Sequence, residues 1–321
     1  MLPRLKLEDV QRAQDAIAPH LRPTPLRRSF ALCRRGEVRL KLECWQPTGS
    51  FKVRGAVNVM ASLSPAERER GVVAASAGNH ALGVAFAAQS LGGRVQATLF
   101  VPESAPRAKV EKLRTFPVEV RQEGADYDRA AERALEHARA TGATLVHAFA
   151  DPRTAAGQGT VGLEILDEWP EVGAILVPVG GGGLIAGIAT VVKARSPRTR
   201  IIAVQPEASP SLRESLRVGR PLTEFPAGPT LADGIAGGIG EIAFDHRDLI
   251  DEVVIVPERA IEDAMVALIA SDQLVAEGSG AIGVAAILAG LVEPGSSGTA
   301  VVVTGANVDA SVLARLLAGR T

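Results

Sequence analysis

Short aliphatic runs rich in β-branched residues alternate with stretches of helical pattern along most of the chain, and this alternation limits the fold more than any other feature. The runs are Val72–Ser76, Gln96–Val101, Val118–Arg121, Thr144–Phe149, Ala174–Val179, Ile201–Gln205, Val253–Val256 and Thr299–Thr304. Continuous apolar runs of this length read as strands buried on both faces. Between most of them lie Asn79–Leu91, Ala105–Arg114, Tyr127–Ala140, Thr154–Glu168, Leu184–Ala194, Pro257–Ser271 and Ser279–Ala289, whose length and pattern predict helices. The expected class is therefore α/β with mainly parallel sheets. Two separate clusters of glycine-rich strand ends fit two doubly wound domains better than one (β/α)₈ barrel. No Pro/Gly/Ser linker separates the halves, so the chain is expected to cross between domains more than once. Pro221–Gly240 is the one long irregular stretch, and such loops in compact enzymes often carry function.

Composition narrows what such a fold can serve. Lys plus Arg is 35 and Asp plus Glu 36, and the net charge of −1 gives no long-range field to attract nucleic acid or an anionic bilayer. The expected partner is a small molecule. Aromatic residues are 3% of the chain, so the core is aliphatic and a stacking platform for bases is not expected. Cys33 and Cys44 can build neither a disulfide framework nor the usual four-ligand metal site, which suggests a reducing compartment. Met1–Val10 has no signal-peptide run, and no segment is long and apolar enough to span a bilayer, so a cytoplasmic protein is expected.

Two segments suggest chemistry. Ala174–Val179, then Gly180-Gly181-Gly182-Gly183, then Leu184–Ala194 reads as strand, glycine loop and helix start. Four glycines let a ligand approach the backbone, and free N–H groups at a helix N-terminus favour a phosphate. The spacing matches neither the dinucleotide nor the nucleoside triphosphate signature, which leaves a lone phosphate on a cofactor. The second segment, Lys41 to Ala56, puts Lys52 just past a Pro/Thr/Gly turn near a helix start. Desolvation by Phe51, together with Arg54 and a helix N-terminus nearby, is expected to disfavour the charged amine and allow nucleophilic Schiff-base chemistry.

Four motifs in order, Ser50-Phe51-Lys52-Val53-Arg54-Gly55-Ala56, Ser76-Ala77-Gly78-Asn79-His80-Ala81, Gly180 to Leu184, and Thr304-Gly305-Ala306-Asn307, resemble the pyridoxal-phosphate enzymes of fold type II, the tryptophan synthase β-like architecture. The likeness covers nearly the whole chain and points to the threonine/serine dehydratase and serine racemase branch. It implies a large cofactor-binding domain of residues 1–70 and 149–321 and a small substrate-gripping domain of residues 71–148. By the same likeness Lys52 anchors pyridoxal phosphate and acts as the base, with Phe51 against the ring. Asn79 bonds the phenolic oxygen, Gly180, Gly181, Gly182, Gly183 and Leu184 hold the phosphate, and Thr304 faces the pyridine nitrogen. Ser76, Ala77, Gly78, Asn79 and His80 form the loop that grips the substrate carboxylate. Apart from the likeness, this loop also reads as a strand end with a helix cap, Asn79 being a good capping residue. A hydroxyl at Thr304 cannot keep the nitrogen protonated as a carboxylate would, which favours β-elimination. The implied reaction is dehydration and deamination of a β-hydroxy amino acid, such as L-threonine or L-serine, to a 2-oxo acid and ammonia.

Several positions depart from the pattern. Ala77 stands where racemases of the branch carry a second serine base, and Gln205, with Ser209 and Ser211 following, stands where many relatives bind a divalent cation through a glutamate. A neutral amide is a poor ligand for a hard cation, and with Glu207 nearby the metal is left unassigned. Leu82 and the Glu277-Gly278-Ser279-Gly280-Ala281 stretch are expected to retune the substrate pocket, and Arg129 aligns loosely with a substrate-contacting arginine. A 3-hydroxyaspartate dehydratase or a serine racemase-like enzyme remains compatible with these residues. From another class, so does a non-catalytic protein that binds a phosphate ligand. The resemblance further implies a homodimer. Residues 305–321 suffice for one short helix, so hyperbolic kinetics without isoleucine feedback are expected.

Overall fold

The computed structural model describes residues 4–319. Its strands are β1 (Leu26–Arg28), β2 (Val38–Lys41), β3 (Val72–Ala75), β4 (Ala97–Val101), β5 (Glu119–Gln122), β6 (Thr144–Leu145), β7 (Ala174–Pro178), β8 (Arg200–Pro206), β9 (Glu252–Val256) and β10 (Thr299–Val302). Six form one sheet in the order β1-β2-β10-β7-β8-β9, and four form a second in the order β5-β4-β3-β6. All neighbours are parallel except the β1–β2 pair. The α/β class with mainly parallel sheets is thus the observed one, and each expected aliphatic run contributes a strand.

Alternate residues of the central strands enter different cores. Ile175, Val177, Ile201, Ala203, Ala300 and Val302 pack with the helices Pro152–Glu168 and Gly183–Arg195. Leu176, Ile202, Val204 and Val301 pack on the opposite face with the helices Glu258–Asp272 and Gly278–Leu288. Because successive side chains of a strand point to opposite faces, helices cover both sides of the large sheet. The small sheet repeats this arrangement. Val72, Ala74, Leu99 and Val101 face the helices Lys52–Ala61 and Asn79–Ser90, while Val73 and Phe100 meet Ala134 of the helix Tyr127–Thr141.

Two departures from the expected strands have local causes. β1 and β2 are not evident in the sequence because Arg27, Arg28, Arg39 and Lys41 interrupt their apolar residues, although Lys41 is fully buried through ion pairing. The run Thr144–Phe149 is a strand only to Leu145. His147 Nδ1 accepts the N–H groups of Phe149 at 3.3 Å and Ala150 at 3.0 Å, so the side chain takes backbone donors that a strand would offer to its neighbour.

Candidate active site

The C-terminal ends of β3, β7 and β10 open onto one cavity of about 1110 Å³, a place where α/β proteins commonly bind ligands. Its walls include Lys52, the segment Ser76–His80, the glycines 180–183, Thr304 and part of the irregular stretch, Thr223–Pro226 and Asp233–Gly238. Lys52 arrives there through backbone pairing. Ser50 bridges to Gly305, and the Phe51 N–H donates to the Thr304 carbonyl at 3.1 Å, so the start of the helix Lys52–Ala61 is tied to the end of β10.

The Lys52 amine has one weak partner, the Ala148 carbonyl at 3.3 Å, and lies 5.2 Å from the centre of the Phe51 ring. Burial brings its pKa down to about 8, against the opposing pull of the Glu277 carboxylate. The sequence credits Arg54 with part of this effect, and the structure corrects it. Arg54 points away into a buried ion-pair cluster with Glu43 and Glu164. Two histidines stand close by. Burial first, and then the nearby Lys52 charge, lowers His80 to about 3 and lowers His147 as well, so both rings are neutral at neutral pH. His80 Nε2 bonds the Val146 carbonyl at 2.7 Å and its Nδ1 has no protein partner.

The glycine loop is shaped by what surrounds it. Gly182 has φ +87°, and a Cβ there would come within 2.1 Å of the Ala243 methyl. A Cβ on Gly181 would meet the Phe149 ring at 2.3 Å, and one on Gly180 the Ile235 Cα at 2.8 Å. The helix Gly183–Arg195 follows at once, its first N–H groups free of intrahelical partners. Gly182→Ala therefore meets two separate costs, about 1–2 kcal/mol for the left-handed backbone and about 1–3 kcal/mol for overpacking. The variant is expected to melt several degrees lower and to bind pyridoxal phosphate more weakly. An unchanged melting temperature together with unchanged affinity in a cofactor titration would show that the loop does not need this glycine.

Asn79 opens the helix Asn79–Ser90, and the position before it is Gly78, without a side-chain cap. The expected capping role of Asn79 is thereby replaced by another use of its amide. Nδ2 donates to Glu277 Oε1 at 2.8 Å, and Oδ1 accepts from Asn307 Nδ2 at 2.7 Å. Ser76 Oγ accepts the Gly78 N–H at 3.1 Å. Thr304 is buried, with Oγ1 3.3 Å from the Ser279 carbonyl. Ala77 and Leu82 also line the cavity, whereas Arg129 is exposed in an ion pair with Glu132 and does not. Glu277, Ser279 and Asn307 lie in motifs visible in the sequence, yet only the fold shows that they face Asn79 and Thr304.

These residues fit a phosphorylated aldehyde cofactor. They supply a free amine, a cradle that tolerates no Cβ in front of free helix N–H groups, and a buried Ser279 hydroxyl that lines the cavity without a protein partner. They do not fit a cation at Gln205. Its Oε1 accepts from the Leu212 and Arg213 N–H groups, and its Nε2 donates to the Val179 carbonyl and Ser211 Oγ, so the buried amide is fully engaged. Glu207 accepts the Glu258 N–H instead. Among the described residues no group of three or more His, Cys, Asp or Glu could hold a metal ion.

A family model described as pyridoxal-phosphate dependent enzyme matches residues 17–305, and the chain belongs to this family. It has the fold type II, tryptophan synthase β-like architecture. Its relatives include the L-threonine ammonia-lyase of Thermotoga maritima, 45% identical over 317 residues, 98% of this chain and 78% of the relative. The catabolic L-threonine dehydratase of Staphylococcus aureus is 42% identical over 313 residues, 95% of this chain and 90% of the relative. Among solved structures, a threonine deaminase from T.th. superposes with a TM-score of 0.88 at 39% identity, over 95% of this chain and 99% of that one. Maize serine racemase superposes with a TM-score of 0.91 at 34% identity, over 98% of each chain. Among the described residues no helix is long and apolar enough to cross a membrane.

Proposed function

We propose that the chain is an ammonia-lyase that converts L-threonine, and L-serine less well, to a 2-oxo acid and ammonia. One observation carries the reading. The Lys52 amine shares a cavity with the glycine loop, Asn79 and Thr304, in a chain 45% and 42% identical to relatives that bear this activity by name. Pyridoxal phosphate, when bound, supplies an electron sink for the pair left at Cα. The residues of the chain do the rest. Lys52 would anchor the cofactor, and its amine is placed to take the Cα proton of the bound substrate. A lysine brought down to about 8 exchanges protons near neutral pH far more readily than a free one.

Gly180, Gly181, Gly182, Gly183 and Leu184 would hold the phosphate through backbone N–H groups, and Phe51 would contact the ring. Thr304 offers the pyridine nitrogen only a hydroxyl, which favours loss of the β-hydroxyl over a long-lived carbanion. Ser76, Ala77, Gly78, Asn79 and His80 receive the substrate carboxylate. His80 contributes packing and no positive charge, because its ring is neutral. Ala77 has no group that carries a proton where racemases of the branch carry a second serine, which favours elimination over racemisation. Assignment of residues 71–148 to a small substrate-gripping domain, and of 1–70 with 149–321 to a large cofactor-binding domain, is supported by the placement of the two sheets about the cavity. A cytoplasmic homodimer completes the reading.

A panel of L-threonine, L-serine, D-serine and threo-3-hydroxyaspartate, assayed for 2-oxo acid and ammonia with added cofactor, tests it. L-Threonine is expected to be the best substrate. Faster turnover of hydroxyaspartate or of D-serine would overturn the assignment, and no turnover of any of the four would favour a non-catalytic binder.

A further inference from the structure

The cavity contains a hydrogen-bonded cluster in which Asn79 meets two residues, Glu277 and Asn307, to which the reaction outlined above gives no task. Asn79 lies just beyond β3 of the small sheet, Glu277 just before the helix Gly278–Leu288, and Asn307 in the loop after β10. Besides its contacts to Asn79, Asn307 donates its backbone N–H to Glu277 Oε2 at 3.1 Å and its Nδ2 to the Thr48 carbonyl at 2.8 Å, and its Oδ1 accepts from Lys112 Nζ at 3.1 Å. Glu277 is buried, and both of its oxygens are engaged by this cluster. The packing is tight as well. A Cβ on Gly305 would meet Glu277 Oε1 at 2.4 Å, and one on Gly49 would meet the Asn307 amide at 3.0 Å.

The chemistry of the donors fixes the polarity of this cluster. Burial pushes the Glu277 carboxyl up to about 7, and its deprotonated form accepts from both groups that face it, the Asn79 amide nitrogen and the Asn307 backbone N–H. The Thr48 carbonyl also only accepts, so Asn307 turns its nitrogen towards Thr48 and Asn79 and leaves its oxygen to Lys112. Asn79 Oδ1 accepts from Asn307 and one Nδ2 hydrogen goes to Glu277, so the second Nδ2 hydrogen is the one donor this amide has left to offer. Without the two partners the amide could present its oxygen or its nitrogen with similar ease.

We propose that Glu277 and Asn307 are positioning residues that hold Asn79 with its amide nitrogen turned to the cofactor. The inference rests on the reading that Asn79 bonds the phenolic oxygen of pyridoxal phosphate, and its test separates the two. Apoprotein is titrated with pyridoxal phosphate, and the dissociation constant and the visible absorption of the bound cofactor are read for the wild type, Asn79→Ala, Asn307→Asp, Asn307→Ser, Glu277→Gln and the double variant Asn79→Ala/Asn307→Ser. Melting of each apoprotein is followed in parallel.

Asn307→Asp sets an acceptor against the Asn79 oxygen, Asn307→Ser removes the amide without adding charge, and Glu277→Gln can satisfy only one of its two donors as before. Each is expected to weaken the cofactor about tenfold and to move its absorption in the direction seen for Asn79→Ala, with apoprotein melting near that of the wild type. In the double variant the effect of Asn307→Ser should vanish, because a residue acting through Asn79 has nothing left to act on. The proposal is overturned if Asn307→Ser weakens binding as much in the Asn79→Ala background as in the wild type, or if neither Asn307 variant nor Glu277→Gln changes affinity or absorption. Should Asn79→Ala itself leave both readings unchanged, the role of Asn79 is at fault and the lock falls with it.

Discussion

Replacing Lys52 by alanine is expected to abolish turnover while leaving the apoprotein as stable as the wild type or more so. The amine has two duties in the proposed reaction, anchor and base. Loss of proton transfer alone costs about 10²–10⁴-fold, and loss of the anchor adds to it. The stability half follows from the sign of the pKa shift. The folded state lowers Lys52 to about 8 from an ordinary 10.5, so at neutral pH the protonated amine is worse off folded than unfolded. Removing it relieves that penalty at every pH below the unfolded value, and the gain fades as pH rises past the folded one. Borohydride reduction followed by peptide mapping should find cofactor on the Lys52 peptide of the wild type and none in the variant. Elimination retained at more than a small fraction of the wild-type rate would refute the assignment, whatever the melting curve shows.

What can be read before folding follows from how far each interaction reaches along the chain. β7, β8 and β10 are continuous apolar runs because both their faces are buried, so their sequences state their environment directly. β1 and β2 do not, since the charges of Arg27 and Lys41 are offset by ion pairs with residues far along the chain. Lys52 and the glycine loop are legible because each is a compact motif. Arg54 is misread for a geometric reason. Two residues along a helix amount to a turn of about 200°, so Arg54 faces nearly opposite to Lys52 despite its nearness in sequence. Glu277 and Asn307 gain their meaning only when residues 79, 277 and 307 meet across the cavity, and no local pattern encodes that meeting. The fully engaged amide of Gln205 is of the same kind: the sequence shows a missing carboxylate, and the fold shows what fills its place.

The second large effect is expected at Arg54, in stability first. Arg54 is 1% exposed and grips Glu43 with two bonds, Nε to Oε2 and Nη2 to Oε1, both at 2.7 Å. It reaches Glu164 at 2.6 and 2.8 Å and Thr160 Oγ1 at 3.0 Å, while Lys41 Nζ holds Glu164 from the other side at 2.5 Å. Two cations and two carboxylates balance, and the cluster joins β2, the start of the helix Lys52–Ala61 and the helix Pro152–Glu168. Burial alone would push the Glu43 carboxyl up, yet Arg54 and then Lys41 hold it below its ordinary range. Arg54→Leu leaves that carboxylate buried without its main partner, which costs about 3–5 kcal/mol. A depressed carboxylate stabilises the fold above its unfolded pKa and loses that contribution as pH falls. The wild type should therefore keep this contribution at about pH 7 and only begin to lose it near about pH 4, below the ordinary carboxylate value of 4.5. In the variant Glu43 takes up a proton more readily, so the gap between the two proteins should narrow over the same interval. Arg54→Lys keeps the charge without the planar fork and should fall between them. Because Arg54 lies in the helix that begins at Lys52, loosened cofactor binding should accompany the loss. Urea unfolding at the two pH values decides the matter, and a deficit below about 1 kcal/mol at neutral pH, or one that widens in acid, would show that the cluster does not hold this helix in place.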